Sequence, residues 1–427
     1  GGTPVSRMIA LLMPWMKGRR PAWLIRAGLF LYDHLGGRKI LPGTRSVDLR
    51  TDPAGASLRS DFRKGYEYSD CWIEDSRLVV LNARDAARRG ATIMPRTRVI
   101  NARRQDDGWL ITLSDSSGEW QVRARMLVNA GGPWAGSIIK GVVGSNAADR
   151  VRLVRGSHIV TRKLFDHDKS YFLQGTDGRI IFAIPYEGQF TLIGTTDKDH
   201  TDAATPPVCT DEEADYLLDF ASQYFAAPLT RDDIVWRYSG VRPLYDDGAS
   251  SATAATRDYV LKLDDAGGAP LLNIFGGKIT TYRKLAEAAL AKVAPLLGNS
   301  HGTWTADAPL PGGDFAPHQV QTQIDRLRQS YAFLDQDWAT RLIRAYGTEA
   351  FDMLADATSV DALGKAFGHT VTATELDWAI TKEWVMSGED FLWRRTRLGL
   401  VMSEAEAAAI DLYIREGAGK AVNASRA

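Results

Sequence analysis

The texture of residues 151–245 narrows the fold more than any other part of the chain. β-type runs follow one another there: GSHIVTRKLF, SYFLQGTDGRIIFAIPYEGQFTLIGTTD and DIVWRYSGVRPLY. Asp177-Gly178 and Glu187-Gly188 supply tight turns between them, since glycine accepts the positive φ that a two-residue hairpin loop demands. The segment reads as an antiparallel sheet. One helix interrupts it. Thr210 and Glu213 form a capping box ahead of ADYLLDFASQYF, each side chain satisfying a backbone amide at the helix start. DYVLKL and LLNIF add two further strands.

On either side the pattern is mixed. RPAWLIRAGLFLYDHLGGRKILPG predicts a helix from Pro21 to Leu35, with proline in its first turn and Gly36 past its end. The segment Ser76 to Gly90 is amphipathic, with Leu78, Val79, Leu81 and Ala86 on one side. ATIMPRTRVINARR reads as a strand. WLITLSDSSGEWQVRARMLVNAGG reads as a hairpin about Ser116-Ser117-Gly118, followed by a buried strand, RMLVNA. Leu297 to His318 is rich in Gly and Pro and reads as a linker. Beyond it QVQTQIDRLRQSYAFL, DWATRLIRAYG, ATELDWAITKEWV, DFLWRRTRLGL and EAEAAAIDLYIREG are helical patterns, forming a small domain of their own.

A chain of 427 residues with 44% apolar and 24% charged residues buries a large core and holds two or three domains. Its net charge is zero, so it carries no global field for nucleic acid. The first fifty residues are basic, with Lys17, Arg19, Arg20, Arg38 and Lys39 among nine Lys/Arg, against Asp33 and Asp48. Such asymmetry suits an anionic surface. Cys71 and Cys209 cannot build a disulfide framework, and the seven histidines form no short-range metal pair. No apolar run reaches the roughly 18 residues that span a bilayer. Met8 to Met16 is short and broken by Pro14. It suits either a core segment or a membrane-interface segment.

Two glycine pairs carry the chemistry. In NIFGGKITTYRKLAEAAL, a strand runs into Gly276-Gly277-Lys278 and then a helix. The phosphate-loop pattern G-x-x-x-x-G-K-[ST] fails here, because Leu272 replaces its first glycine and Ile279 its hydroxyl residue. The stretch still places the amides of Lys278, Ile279 and Thr280 at a helix start, where they direct positive charge at a ligand. In LVNAGGPWAG, a strand meets Ala130-Gly131-Gly132, then Pro133 and Trp134. Such a crossing lets backbone lie against an extended cofactor.

RPAWLIRAGLFLYDHLG, GYEYSDCWIEDSRLVVLNA, LVNAGGPW, RGSHIV, IFAIPY, LIGTTD, RYSGVRPL, TRDY, FGGKITTYRKLAE, LPGG and LWRRTRLGL occur in that order. From about Arg20 to Ala418 this closely resembles the bacterial aerobic FAD-dependent glycerol-3-phosphate dehydrogenases. The resemblance implies a fold of α/β plus antiparallel β, the D-amino-acid-oxidase-like flavoprotein type, with a C-terminal helical domain. It implies oxidation of sn-glycerol 3-phosphate to dihydroxyacetone phosphate through FAD. It further implies electron delivery to ubiquinone, a homodimer, and a peripheral position on the cytoplasmic face of the inner membrane. The domain division expected from it is 1–70 as N-terminal remnant and substrate-domain helix, and 71–150 as part of the FAD domain. Residues 151–265 form the antiparallel substrate domain, 266–296 a return to the FAD domain, 297–318 a linker and 319–427 the helical domain. Two departures stand out. The opening strand, G-x-G-x-x-G and helix of the family are absent from this sequence, so its FAD domain reads as incomplete. Gly131 also stands where the family usually carries threonine.

Residue by residue, the resemblance implies these roles. Val99, Ala130, Gly131, Gly132, Trp134, Gly276, Gly277, Lys278, Ile279 and Thr280 contact the cofactor. Gly277 to Thr280 lie at the ring, where their helix dipole favours the reduced, anionic flavin. Arg242, Arg257 and Lys278 bind substrate, since cations suit a phosphate and arginine's fork suits it best. Arg242 and Lys278 also belong to the catalytic set with His158, the candidate base, because imidazole titrates near working pH. No metal is implied. Alternatives are an oxygen-using oxidase of glycerol 3-phosphate or of an amine, and a truncated remnant that does not hold FAD.

Overall fold

The computed structural model describes residues 6–16, 21–34, 41–144, 151–175, 178–246, 258–265 and 267–424, with backbone alone for 418–424. The N-terminal part runs β1 (Ser6–Pro14), α1 (Ala22–His34), β2 (Arg45–Asp48), β3 (Lys64–Ile73), α2 (Asp75–Arg88), β4 (Arg98–Gln105), β5 (Gly108–Asp115), β6 (Gly118–Ala124), β7 (Leu127–Asn129) and the single turn α3 (Ala135–Ser137). The middle runs β8 (Val151–Arg162), β9 (Ser170–Gln174), β10 (Ile180–Tyr186), β11 (Phe190–Gly194), β12 (Lys198–Asp199), α4 (Asp211–Ser222), β13 (Ile234–Tyr245), β14 (Val260–Asp264), β15 (Leu271–Phe275) and α5 (Tyr282–Val293). The C-terminal part is α6 (Val320–Ser330), α7 (Gln336–Tyr346), α8 (Glu349–Leu354), α9 (Ala373–Glu383) and α10 (Glu404–Ala424). Contacts gather these into two compact units. Ile9–Asp70 groups with Arg96–Thr305, and Cys71–Pro95 groups with the segment from Ala306 onward.

The first unit is built on a nine-stranded sheet, ordered β12-β8-β11-β10-β9-β1-β3-β2, with β13 also paired to β8. The antiparallel run expected for 151–245 is present. Glu187 and Gly188, both at positive φ, make the turn from β10 to β11; Asp177 lies outside the described residues. β1 enters the sheet parallel to β9, with Leu11 and Leu12 buried. Within Met8 to Met16, Leu11, Leu12 and Pro14 are therefore core, whereas Met8 is 54% exposed. Leu11, Leu12 and Pro14 are buried on alternate faces, so both faces of the strand are covered there, which is why its sequence lacks alternation. Behind the sheet lies α4, whose capping box forms as expected. Leu217, Leu218 and Ala221 cluster there with Ile159, Leu173, Ile181 and Ile193.

Two smaller sheets complete this unit. β4-β5-β6 is an antiparallel meander over Trp109, Ile111 and Leu113. Its first strand starts only at Arg98, the preceding residues being irregular. In the sheet β14-β15-β7, β7 runs parallel to β15. The strand expected to be buried here is only Leu127–Asn129, and Val128 is 46% exposed. The reason is positional: β7 is an edge strand among the described residues, so its outer side stays wet.

The second unit is helical, with two apolar clusters. Its surprise is α2. Val79, expected on the apolar side, is 65% exposed, while Arg77 and Arg84 are buried. Arg77 donates to both oxygens of Glu383 at 2.6 and 2.9 Å, and Arg84 to both of Glu349 at 2.5 and 2.9 Å. Their guanidiniums also face the rings of Tyr346 and Trp378, at 5.0 and 5.4 Å. Periodicity assigns charges to solvent; only distant carboxylates reverse that here. DFLWRRTRLGL is not an α-helix but a wide turn, Asp390–Arg395, and a tight one, Leu398–Leu400. Arg395 is drawn to the Glu383 carbonyl at 2.7 Å, and a Cβ at Gly399 would stand 2.3 Å from the Trp393 ring. The short helix α8 was not expected.

Candidate active site on the β8 and β13 face

Strand register brings the central residues together. His158 pairs with Gly194 on β11 and Tyr238 on β13, Gly156 with Gly240, and Val154 with Arg242. Side chains alternate with period two, so His158, Tyr238 and Arg242 share one face. The His158 ring stacks on Tyr238, centroids 5.0 Å apart and planes 9° apart. Glycines make the space. A Cβ on Gly194 would lie 2.2 Å from His158 Cδ2, and one on Gly156 would lie 2.5 Å from Arg242 Nη2.

The two functional groups differ in state. His158 Nδ1 is buried with no hydrogen-bond partner among the described residues. Burial, and then the Arg242 charge, push its pKa down to about 4. The imidazole is therefore neutral near pH 7, with an unsatisfied nitrogen. The expectation that it titrates near working pH is corrected: burial and the Arg242 charge hold it well below. Arg242 is held: Nη1 donates to Asp197 Oδ1 at 2.5 Å, and Nη2 to Thr195 Oγ1 at 3.1 Å. Its side chain remains 32% exposed.

The glycine pairs approach the same strand. A Cβ on Gly132 would meet the Pro243 ring at 4.0 Å. One on Gly276 would stand 2.9 Å from the Asp258 carbonyl and 3.7 Å from that of Pro243. Gly276 and Gly277 have φ of 65° and 102°, conformations that L side chains seldom take. The helix start needs correction. Lys278 precedes a tight turn, Ile279–Thr281, and α5 begins only at Tyr282. The amides of Lys278, Ile279 and Thr280 still make no hydrogen bond among the described residues, and these residues are exposed. Lys278 Nζ lies 3.8 Å from Asp258 Oδ1.

Behind the glycines, buried Asn129 ties the ends of β7 and β15. Its amide donates to Asn273 Oδ1 at 2.9 Å and to the Ala135 carbonyl at 3.1 Å, and its oxygen accepts from the Gly131 amide at 3.2 Å. A side chain on Gly131 would meet Ile138 Cδ1 at 2.4 Å, so glycine suits this position sterically. Ala130 and Trp134 are exposed. Val99 sits on the separate β4-β5-β6 sheet, at a register shift, and none of these contacts reaches it. Arg257 lies outside the described residues. Sequence reasoning missed Gly156, Gly194, Thr195, Asp197, Tyr238, Asn129 and Asn273. Gly156 was within reach, since it precedes His158 by one strand period in RGSHIV.

Residues 13–283 match the family model for FAD dependent oxidoreductases, and residues 303–416 that for the C-terminal domain of alpha-glycerophosphate oxidase. The chain belongs to the FAD-dependent oxidoreductase family. It is 46% identical to the D-erythritol 1-phosphate dehydrogenase of Brucella abortus, over 93% of this chain and 80% of that protein. It is 41% identical to the glycerol-3-phosphate dehydrogenase of Pseudomonas aeruginosa (96% and 80% covered) and 40% to the aerobic glycerol-3-phosphate dehydrogenase of Escherichia coli (95% and 80%). Among solved structures, the glycerol-3-phosphate dehydrogenase of Bacillus halodurans complexed with FAD has the same fold, with a TM-score of 0.72 at 23% identity, covering 97% of this chain and 82% of that one. The family's fold, enzyme class and cofactor thus agree with the sequence reading. The open amides of Lys278 to Thr280 and the positive-φ glycines before them fit the ring end of FAD. No G-x-G-x-x-G occurs in the sequence to receive its pyrophosphate.

Proposed function

We propose that the chain oxidises the C2 hydroxyl of a small phosphorylated polyol, sn-glycerol 3-phosphate, to the ketone, dihydroxyacetone phosphate. The observation that carries this reading is the pairing, on one sheet face, of neutral His158 with the fixed cation of Arg242. FAD, when bound, supplies the hydride acceptor. His158, neutral near pH 7, takes the hydroxyl proton on its imidazole. Arg242 and Lys278, with Arg257, attract and orient the dianionic substrate. Gly276 to Thr280 border the cofactor ring, with Ala130 to Gly132, Trp134 and, through its backbone, Val99.

A second substrate has a specific observation behind it. Identity is higher to the D-erythritol 1-phosphate dehydrogenase than to the glycerol-3-phosphate dehydrogenases, 46% against 40–41%. A tetritol phosphate carries the same phosphate and secondary alcohol on a longer chain.

Electrons pass to ubiquinone, and the chain works as a homodimer on the cytoplasmic face of the inner membrane. Support for the membrane comes from α1. It has one buried residue, Leu29, and exposes Trp23 (71%), Leu24, Phe30, Leu31 (61%) and Tyr32. Wet apolar and aromatic residues on one short helix suit an interfacial anchor. Among the described residues no helix is long and apolar enough to cross a bilayer.

Dye reduction by the FAD-loaded chain, with each phosphopolyol in turn, tests the substrate, and oxygen uptake tests the oxidase alternative. His158→Ala and Arg242→Ala should each lower turnover at least tenfold. Near wild-type turnover in both would sink the assignment.

A further inference from the structure

Arg242 is more tightly engaged than a phosphate receptor needs to be. Its guanidinium lies over Gly156, where even a methyl group would strike it. Asp197 takes Nη1 at 2.5 Å, and Thr195 takes Nη2 at 3.1 Å. The Thr195–Asp197 segment is itself anchored. The Thr196 amide reaches the Ser157 carbonyl at 3.3 Å, and the Ser157 amide donates to Thr196 Oγ1 at 3.0 Å. Thr196 Oγ1 in turn donates to Glu213 at 2.9 Å, and Ser157 Oγ to the same carboxylate oxygen at 3.0 Å. Glu213 is buried behind the sheet, capping α4 and paired with Arg155 at 2.8 Å. Residues 195 and 197 thus work on the Arg242 face, while 196 is pinned from behind.

A carboxylate touching a substrate-binding arginine has a cost. It offsets part of the positive charge that would draw a dianionic substrate. Retained there, it gives aim: a guanidinium fixed in one place beside His158 rather than a long side chain sampling many rotamers.

Resting on the reading that Arg242 binds substrate, we infer that Asp197, with Thr195, is a positioning residue, which trades attraction for phosphate against fixed placement of Arg242 beside the reacting alcohol. Asp197 touches no reacting atom in this scheme and acts through Arg242.

The trade gives opposite signs for binding and turnover. In Asp197→Asn, Arg242 keeps its charge, and its anchor is weakened from a charge-assisted hydrogen bond to a neutral one. The expected result is a kcat at least tenfold lower in dye reduction, with KM for glycerol 3-phosphate unchanged or lower. Calorimetric affinity for inorganic phosphate, which needs no turnover, should be unchanged or higher. Asp197→Glu should recover part of kcat, and Thr195→Val should show the same pattern more weakly. Parallel loss of kcat and phosphate affinity in Asp197→Asn would mark a merely structural role and overturn the inference, as would wild-type values for both. Arg242→Ala separates the two levels. Impaired Arg242→Ala beside normal Asp197→Asn refutes the positioning role alone. Unimpaired Arg242→Ala refutes the underlying site.

Discussion

At His158 the neighbours matter as much as the imidazole. Gly194 leaves the space its ring fills, so Gly194→Ala forces a shift of ring or strand. A loss of about 1–3 kcal/mol of stability is expected from such overpacking, with turnover at least tenfold lower. Wild-type melting and turnover in that variant would contradict the packing described. His158 also couples the fold to pH. Folded, it titrates near 4; its ordinary value is 6.5. Between these values the unfolded chain binds the additional proton. This contribution to stability is therefore complete above pH 6.5 and is lost as the pH falls toward 4. Across the window it amounts to on the order of 3 kcal/mol. Urea unfolding at pH 7 and pH 5 should cost the wild type more stability than His158→Gln; equal losses in both would contradict it. His158, Arg242 and Lys278 stand out in the sequence because chemistry marks them and their motifs repeat a known pattern. Gly156, Gly194 and Asp197 were not, since their roles arise only when strand register sets them against another side chain.

Among the elements, the strands of 151–245 were legible from turns and a capping box, which are local signals. The helix α2 was not, because what orients it is distant in sequence. Arg77 and Glu383 are both almost fully buried and bond each other through two contacts. Removing Arg77 takes both hydrogen bonds from the buried Glu383 carboxylate and leaves it only the longer contacts to Arg84 and Arg395, at 3.8 and 3.9 Å, so Arg77→Ala should destabilise by at most about 3–5 kcal/mol. Lys284→Ala, which breaks the pair to Glu287 from an exposed lysine, should stay within about 1 kcal/mol. Chemical denaturation followed by helix content compares the two; similar losses would show that the buried pair does not hold α2 in its unit. The edge position of β7 was likewise hidden, since burial of RMLVNA depends on a neighbour its sequence does not contain.

For the whole molecule, formal charge is zero, so attraction to a surface has to come from local features. The exposed face of α1 is one, in a segment of basic character. Vesicle flotation should recover the chain with anionic lipid and less of it at high salt. Trp23→Ser with Leu31→Ser should lower the bound fraction at least fivefold. Equal flotation of wild type and variant would remove α1 from the membrane reading. Fold class and family were readable from motif order along nearly the whole chain, whereas the units defined by contact depend on pairs such as Arg77 with Glu383 that no motif announces. The central claim is that this site passes a hydride from a phosphorylated polyol to FAD. The most direct test is anaerobic titration of the FAD-loaded chain while its flavin absorbance is followed. Stoichiometric bleaching by sn-glycerol 3-phosphate or D-erythritol 1-phosphate, but not by an amine such as proline, is the expected result. Bound FAD that stays oxidised with both phosphopolyols would contradict it.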